Sequence, residues 1–190
     1  MFAISLNLSK KQNNYYMLLP KVQNALNQQV QIEANASQKY LAMACWCDAN
    51  ALEGCARFFY RHSDEERMHM LKLVHYINDA GGTVSIPAVE LPHSEYQNIR
   101  ELFEIAYTHE QKVSAAIDNL IELCITEKDK QTANFLQWYL NEQHEEEALY
   151  RTLIDRIKLI GIQDRGLYFI DREVDEVNAK KAAAEAAAGK

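Results

Sequence analysis

At positions 64–69 the chain reads Asp64-Glu65-Glu66-Arg67-Met68-His69. On a helix, Glu66 and His69 are three residues apart, so their side chains project from the same face. Steps of four and three residues along that face give a largely apolar stripe. The stripe comprises Cys55, Phe59, His62, Glu66, His69, Leu73, Tyr76 and Ala80. A carboxylate and an imidazole therefore occupy positions where a helix core is expected to hold apolar side chains.

An isolated Glu-x-x-His is common on solvated helix surfaces, but three further predicted helices show the same anomaly. The 3.6-residue periodicity predicts four long helices, at about 20–50, 51–80, 94–127 and 131–160. Their apolar stripes are interrupted by Glu33 in the first, by Glu110 in the third, and by Gln143 and Glu146 in the fourth. Each interruption lies near the middle of its own helix.

The segment 81–95, which contains Pro87 and Pro92, predicts an extended connection between the second and third helices. Fifteen extended residues reach roughly 50 Å at about 3.3 Å each, whereas a thirty-residue helix is about 45 Å long. The connection therefore runs the length of the bundle, and the second and third helices are parallel. The predicted fold class is all-α: a four-helix bundle with one long crossover and a short fifth helix at about 164–177.

Three parts are predicted along the chain. Residues 1–16 show no period and are expected to form a mobile N-terminal arm, and residues 17–177 form the helical domain. Residues 178–190 are an Ala-rich, low-complexity tail with helix propensity but nothing to bury.

Composition excludes several classes of function. The formal net charge of −7 argues against nucleic acid and anionic membranes as partners but suits cations. No apolar run approaches the ~20 residues of a membrane-spanning helix, and the chain has no convincing signal peptide. The four cysteines have neither zinc-site nor disulfide spacing. We therefore expect a cytoplasmic protein with reduced cysteines.

The middles of equal helices in a bundle lie at one level, so six polar side chains are expected to meet inside. They are Glu33, Glu66, His69, Glu110, Gln143 and Glu146. Four ionised carboxylates buried together repel one another and are costly to desolvate. Two divalent cations balance their formal charge, and carboxylates with one imidazole suit iron or manganese better than zinc or copper.

Other residues near this level admit two interpretations. His62 is interpreted as a hydrogen-bonded core histidine, whereas His144 points off the stripe and is expected to be superficial. Tyr40 shares a face with Glu33, and is either a plain core tyrosine or a partner of the metal ligands. Glu65, Glu142 and Glu145 border the site, as either a solvated acidic face or a third metal position.

At these residues the sequence resembles the bacterial non-haem ferritins, from about Leu18 to Val177. The matching segments are Gln29 to Tyr40, His62-Ser-Asp-Glu-Glu-Arg-Met-His69, Thr108-His-Glu-Gln111, Asn134-Phe-Leu-Gln-Trp-Tyr139, Asn141-Glu-Gln-His-Glu-Glu-Glu147 and Gly166-Leu-Tyr-Phe-Ile-Asp171. The resemblance implies a homo-oligomeric cage of twenty-four copies that stores ferric mineral. It also implies a ferroxidase that oxidises Fe(II) with O2 or H2O2.

By the same resemblance, Glu33, Glu66 and His69 hold the first iron. Glu66 bridges to a second iron, held by Glu110 and Glu146 with Gln143 close by. Glu65, Glu142, Glu145 and Glu146 match the third iron site of the bacterial branch.

The departures from related families are also informative. Bacterioferritins ligate haem with a Met just after the bridging Glu, where this chain has Arg67, so no haem is expected. Animal ferritins line their three-fold channel with acidic residues where this chain has Ala133 and Leu136. The alternative function is a soluble di-iron oxidase or peroxide scavenger without storage, and a metal-free helical scaffold is the third possibility.

Overall fold

The computed structural model describes residues 17–163 and 165–188. These residues form six helices and no strand: α1 (Pro20–Ala49), α2 (Glu53–Asp79), α3 (Ile99–Thr126), α4 (Lys130–Phe135), α5 (Gln137–Ile160) and α6 (Gly166–Ala188). The predicted all-α fold class is confirmed. The predicted N-terminal arm, 1–16, lies outside the described residues.

Two helix boundaries differ from the sequence prediction for local reasons. Helix α3 begins five residues later than predicted because Asn98, in an extended conformation, caps it, its side chain accepting from the amide of Glu101. The predicted fourth helix is divided into α4 and α5 at Leu136, where the amide of Tyr139 donates to the carbonyl of Leu136, three residues back.

The crossover between α2 and α3 runs alongside α1, as predicted. Side chains of α1 hold its backbone: Gln23 accepts from the amide of Thr83, Asn27 from that of Ser85, and Asn35 from that of Glu90. Because these contacts advance along α1 toward its C-terminus, the crossover returns to the end of the bundle where α2 begins. Helices α2 and α3 are therefore parallel.

The core consists of two apolar clusters, one toward each end of the bundle. The first is aromatic and contains Phe58, Phe59, Phe103 and Tyr150. The second is mainly aliphatic and draws on Leu26, Val30, Leu73 and Ile117, among others. The helix segments between the two clusters carry the polar residues that the sequence analysis singled out, so the fold places these residues at one interior level.

Helix α6 is longer than the predicted fifth helix, because it continues through the Ala-rich segment to Ala188. It packs mainly along α2, and Gly54 permits the close approach, since a Cβ there would lie 2.8 Å from Cβ of Asp175. Of the four neighbouring apolar residues of its first turns, only Ile170 is buried, while Tyr168 and Phe169 are more than half exposed. Within the described residues, no helix has the length and apolar character needed to cross a membrane.

Candidate metal centre

Glu33, Glu66 and His69 converge between α1 and α2. Atom Nδ1 of His69 lies 3.4 Å from Oε2 of Glu66 and 3.9 Å from Oε2 of Glu33. All three atoms are buried, and none has a hydrogen-bond partner among the residues that the structure describes. Buried polar atoms are nearly always satisfied, so three that converge on one point fit a cation held between them. One ligand atom from each residue lies within 4.8 Å of the other two.

Burial and mutual repulsion also shape the electrostatics of these carboxylates. Burial, and then the neighbouring Glu66, raises the pKa of Glu33 well above its ordinary value of 4.5. Burial, and then Glu110, raises the pKa of Glu66 in the same way. The raised pKa values favour the protonated carboxyl groups, and a divalent metal would compete with those protons.

Glu110 is held from two sides. The hydroxyl of Tyr40 donates to Oε1 of Glu110, and Nε2 of Gln143 donates to Oε2 at 3.0 Å. Burial, and then Glu146, raises the pKa of Glu110 to about 7, although both hydrogen bonds lower it. The sequence left two interpretations of Tyr40 open, a plain core tyrosine or a partner of the metal ligands. In the structure its hydroxyl contacts Glu110, a predicted ligand, which agrees with the second interpretation.

Glu146 lies between an imidazole and an ammonium group. Its Oε2 is 3.1 Å from Nε2 of His62, and its Oε1 accepts a hydrogen bond from Nζ of Lys181. Burial alone would raise the pKa of Glu146, but His62 and Lys181 together lower it below its ordinary value. His62 is a buried, hydrogen-bonded histidine, as interpreted from the sequence, and its Nδ1 lies 2.8 Å from the carbonyl oxygen of Phe58.

Sequence reasoning missed Lys181, because the tail was predicted to have nothing to bury. Its side chain is in fact only 19% exposed. A signal for this contact was present, since Asp171, Asp175, Asn178 and Lys181 follow helical spacing and project from one face of α6.

Glu65, Glu142 and Glu145 lie at the edge of the centre. Together with His69 and Trp138 they line an open cleft of about 530 Å³. Within the described part of the chain, these three do not form a compact ligand group with one another. Glu65 instead groups with His62 and Glu146, one ligand atom of each lying within 4.8 Å of the others. The third metal position predicted from four carboxylates stays a prediction.

The remaining histidines lie away from this convergence. His144, His75 and His93 are exposed. His109 is largely buried beside Tyr40, and burial, followed by Lys39 and Lys112, lowers its pKa to about 4.

Comparison with known proteins agrees with this architecture. The family model for the ferritin-like domain matches residues 23–160. The bacterial non-haem ferritin of Escherichia coli O6:H1 is 42% identical over 164 residues, which cover 86% of this chain and 99% of the relative. That of Campylobacter jejuni is 41% identical, over 85% of this chain and 96% of the relative.

Among solved structures, the open-pore ferritin from the archaeon Archaeoglobus fulgidus is 38% identical and superposes with a TM-score of 0.81. That match covers 83% of this chain and 96% of the archaeal chain.

Proposed function

Because this chain belongs to the ferritin family, we propose that it takes up Fe(II), oxidises it to Fe(III) and stores the product as mineral within a closed shell of identical subunits. The observation that carries the proposal is the convergence of Oε2 of Glu33, Oε2 of Glu66 and Nδ1 of His69, three buried atoms left without partners by the rest of the described chain. Mixed carboxylate and imidazole ligands suit iron.

In this proposal the substrate iron occupies two adjacent positions. Glu33, Glu66 and His69 bind the first Fe(II), and Glu66 bridges to the second. Glu110 and Glu146 bind the second Fe(II), and Gln143 orients Glu110 through the hydrogen bond at 3.0 Å. Tyr40 holds the other oxygen of Glu110, so the carboxylate is positioned before metal arrives.

The electron balance of the oxidation fits a pair of metals. Two Fe(II) ions release two electrons, which with two protons reduce one O2 to H2O2. Alternatively, two electrons and two protons reduce one H2O2 to two waters. The raised pKa values of Glu33, Glu66 and Glu110 mean that metal binding competes with protonation of these carboxylates, and the two protons that the reduction consumes come from solvent.

Storage requires a cage, and the surface of α5 and α6 offers apolar area for subunit contacts. Leu159 is 88% exposed, Tyr168 61% and Phe169 55%. Tyr168 and Phe169 are in ring contact with each other, and adjacent exposed apolar side chains are typical of interaction surfaces. We propose a homo-oligomer of twenty-four copies, and light scattering should give twenty-four times the 21.9 kDa of one chain. A monomer or dimer with rapid Fe(II) oxidation would instead favour the oxidase or peroxide scavenger without storage.

The decisive test of the centre is Fe(II) oxidation followed by stopped-flow absorbance. Glu66→Ala and His69→Ala should each abolish the rapid phase while the assembled particle persists. His75→Ala is the matched control, because His75 lies on the same helix but is exposed. Wild-type rates in either of the first two variants would refute the assignment.

A further inference from the structure

Helix α6 is fastened to α2 by a ladder of polar contacts at regular spacing. Oδ1 of Asp171 accepts from the amide of Cys55 at 2.9 Å, and Oδ1 of Asp175 accepts from Nε of Arg57 at 2.9 Å. One turn further, Oδ1 of Asn178 accepts from Nε of Arg61 at 2.5 Å. The ladder carries the next residue on this face of α6, Lys181, to the level of the metal centre.

Lys181 ends the ladder between two carboxylates. Its Nζ donates to Oε1 of Glu146 and lies 3.9 Å from Oε2 of Glu65. Nε2 of His62 completes the surroundings, at 3.1 Å from Oε2 of Glu146 and 4.0 Å from Oε2 of Glu65. Ligand atoms from His62, Glu65 and Glu146 thus surround one small volume, and a positive charge supplied by the chain itself lies against it.

The orientation of His62 is the one that metal-binding histidines adopt. A backbone carbonyl only accepts hydrogen bonds, so the carbonyl of Phe58, 2.8 Å from Nδ1, fixes the ring hydrogen on that nitrogen. Nε2 then points toward Glu146 and Glu65. Metal-ligating histidines typically donate one ring N–H to a backbone carbonyl in this way, which fixes the ring and leaves the other nitrogen for the metal.

We propose that His62, Glu65 and Glu146 form a divalent-cation site that Lys181 fills while metal is absent, and that a metal ion binds there by displacing the Lys181 ammonium group. This site deepens the proposed function, on which it rests. It shares Glu65 and Glu146 with the predicted four-carboxylate third position, but the imidazole of His62 stands in place of Glu142 and Glu145. Glu146 is shared between this site and the second iron position.

The exchange has a physical basis in charge and geometry. An ammonium group supplies one positive charge and hydrogen bonds, whereas a divalent metal supplies two positive charges. The metal would replace both the ammonium group and the proton that Nε2 of His62 shares with Oε2 of Glu146, and that proton passes to solvent. The nearby Arg61 pairs with Oε1 of Glu65, which leaves Oε2 of Glu65 to face either Lys181 or the metal. Displacement frees the C-terminal end of α6, so metal occupancy is coupled to the exposure of Lys181.

The first test uses the unmodified protein and a redox-stable metal. An N-hydroxysuccinimide acetate reagent is added with and without Co(II), and acetylation of individual lysines is followed by mass spectrometry. Lys180, which is exposed, is the internal reference. Without metal, Lys181 should react roughly tenfold more slowly than Lys180, because its ammonium group is held by Glu146 and is exposed only by local opening. With saturating Co(II) the two rates should become similar, and an unchanged Lys181 rate at saturation would overturn the proposal.

The second test compares Lys181→Met with Lys180→Met in anaerobic Co(II) titrations followed by visible absorption. Lys181→Met should bind the third Co(II) roughly tenfold more tightly because no competing ammonium remains, with the first ion, at Glu33, Glu66 and His69, unchanged. Lys180→Met should match the parent protein. A purely structural role for Lys181 would lower the melting temperature without tightening metal binding, and equal third-site affinities would refute the exchange.

The titration also separates this inference from the proposed function. If no Co(II) binds at Glu33, Glu66 and His69, the proposed function itself fails. If the first two ions bind normally but the third is insensitive to both Lys181→Met and His62→Asn, only the exchange site is wrong.

Discussion

The hydroxyl of Tyr40 donates a hydrogen bond to Oε1 of Glu110 and so connects the C-terminal half of α1 to the middle of α3. Both residues are fully buried, and the Tyr40 ring is stacked between Phe59 and Tyr150. The aromatic cluster therefore fixes the position of one carboxylate of the candidate centre. A preorganised metal site needs ligands that are held in place by rigid packing around them, and the aromatic cluster provides that packing for Glu110.

Tyr40→Phe tests this connection with almost no change of shape. A hydrogen bond to a charged group contributes about 1.5–3 kcal/mol, and its loss raises the pKa of Glu110 further. We expect the second metal to bind at least about tenfold more weakly at neutral pH, with its binding curve displaced to higher pH. Anaerobic Co(II) titration at several pH values measures both effects.

The control is Tyr96→Phe, which removes a tyrosine hydroxyl that donates to the carbonyl of His93, away from the centre. Equal affinities and equal pH dependence in the two variants would show that Tyr40 is only a packed aromatic residue.

Stability of the metal-free protein should depend on pH through Glu110. Its pKa is about 7 in the folded protein against an ordinary 4.5, so the folded state binds this proton more tightly than the unfolded state does. That contribution is fully present below pH 4.5 and is lost as the pH rises through about 7. Glu33 and Glu66 act in the same direction. The pKa of Glu146 is lowered, so its own contribution is lost only in more acidic solution.

We therefore expect the chelator-treated protein to lose roughly 3 kcal/mol from Glu110 alone between about pH 5 and about pH 8. Glu110→Gln should flatten this profile, stabilise the metal-free protein at neutral pH and reduce the stabilisation that metal gives. Thermal melts with and without Co(II) provide the measurement. A lower metal-free melting temperature for Glu110→Gln at pH 8 would contradict the burial of this charge among other carboxylates.

Much of the centre could be predicted from the sequence because its residues violate a periodic pattern. Glu33, Glu66, Glu110 and Glu146 stand in apolar stripes, and helices of similar length bring their middles together without any knowledge of side-chain geometry. The direction of the crossover could be predicted from the maximum length of its segment alone, because residues 81–95, when extended, are long enough to return along the whole bundle.

What the sequence did not disclose depends on packing between elements that are distant along the chain. The contact of Lys181 with Glu146 requires the course of α6 along α2, which is set by Gly54 and the polar ladder rather than by periodicity. The later start of α3 depends on one side-chain cap at Asn98. The compact grouping of His62 with Glu65 and Glu146 likewise depends on side-chain rotamers, which the helical pattern does not predict.

Gly54→Ala should loosen α6. A Cβ at this position would meet backbone atoms of Asp171 and lie 2.8 Å from Cβ of Asp175, and backbone cannot retreat as a flexible side chain can. We expect the free energy of unfolding to fall by about 1–3 kcal/mol. Backbone amide hydrogen exchange along α6 should also become faster. Asn78→Ala, at an exposed position near the other end of α2, is the control. Parent-like exchange in α6 of Gly54→Ala would mean that the close approach of the helices is not needed for docking.

The last prediction distinguishes storage from simple oxidation. Glu142 and Glu145 line the cleft beside His69 but lie outside the convergence of Glu33, Glu66 and His69. Removing both with Glu142→Ala and Glu145→Ala should therefore leave the first two Fe(II) ions per subunit binding and oxidising as in the parent protein. Carboxylates at the mouth of a cleft concentrate cations and pass them on, so later additions of Fe(II) should be oxidised more slowly. The ratio of iron oxidised to oxygen consumed should change as well.

Oxygen-electrode measurements over successive Fe(II) additions provide the test. The matched control is Asp118→Ala with Glu122→Ala, which removes two exposed negative charges from α3 and so reproduces the change in net charge without touching the cleft. A general electrostatic effect would slow both double variants equally. If only the cleft variant slows, and only after the first two irons, Glu142 and Glu145 conduct iron between the centre and the cavity. If neither double variant slows, Glu142 and Glu145 are a solvated acidic face. A carboxylate that takes part in turnover cannot be removed without changing the rate at which later additions of Fe(II) are oxidised.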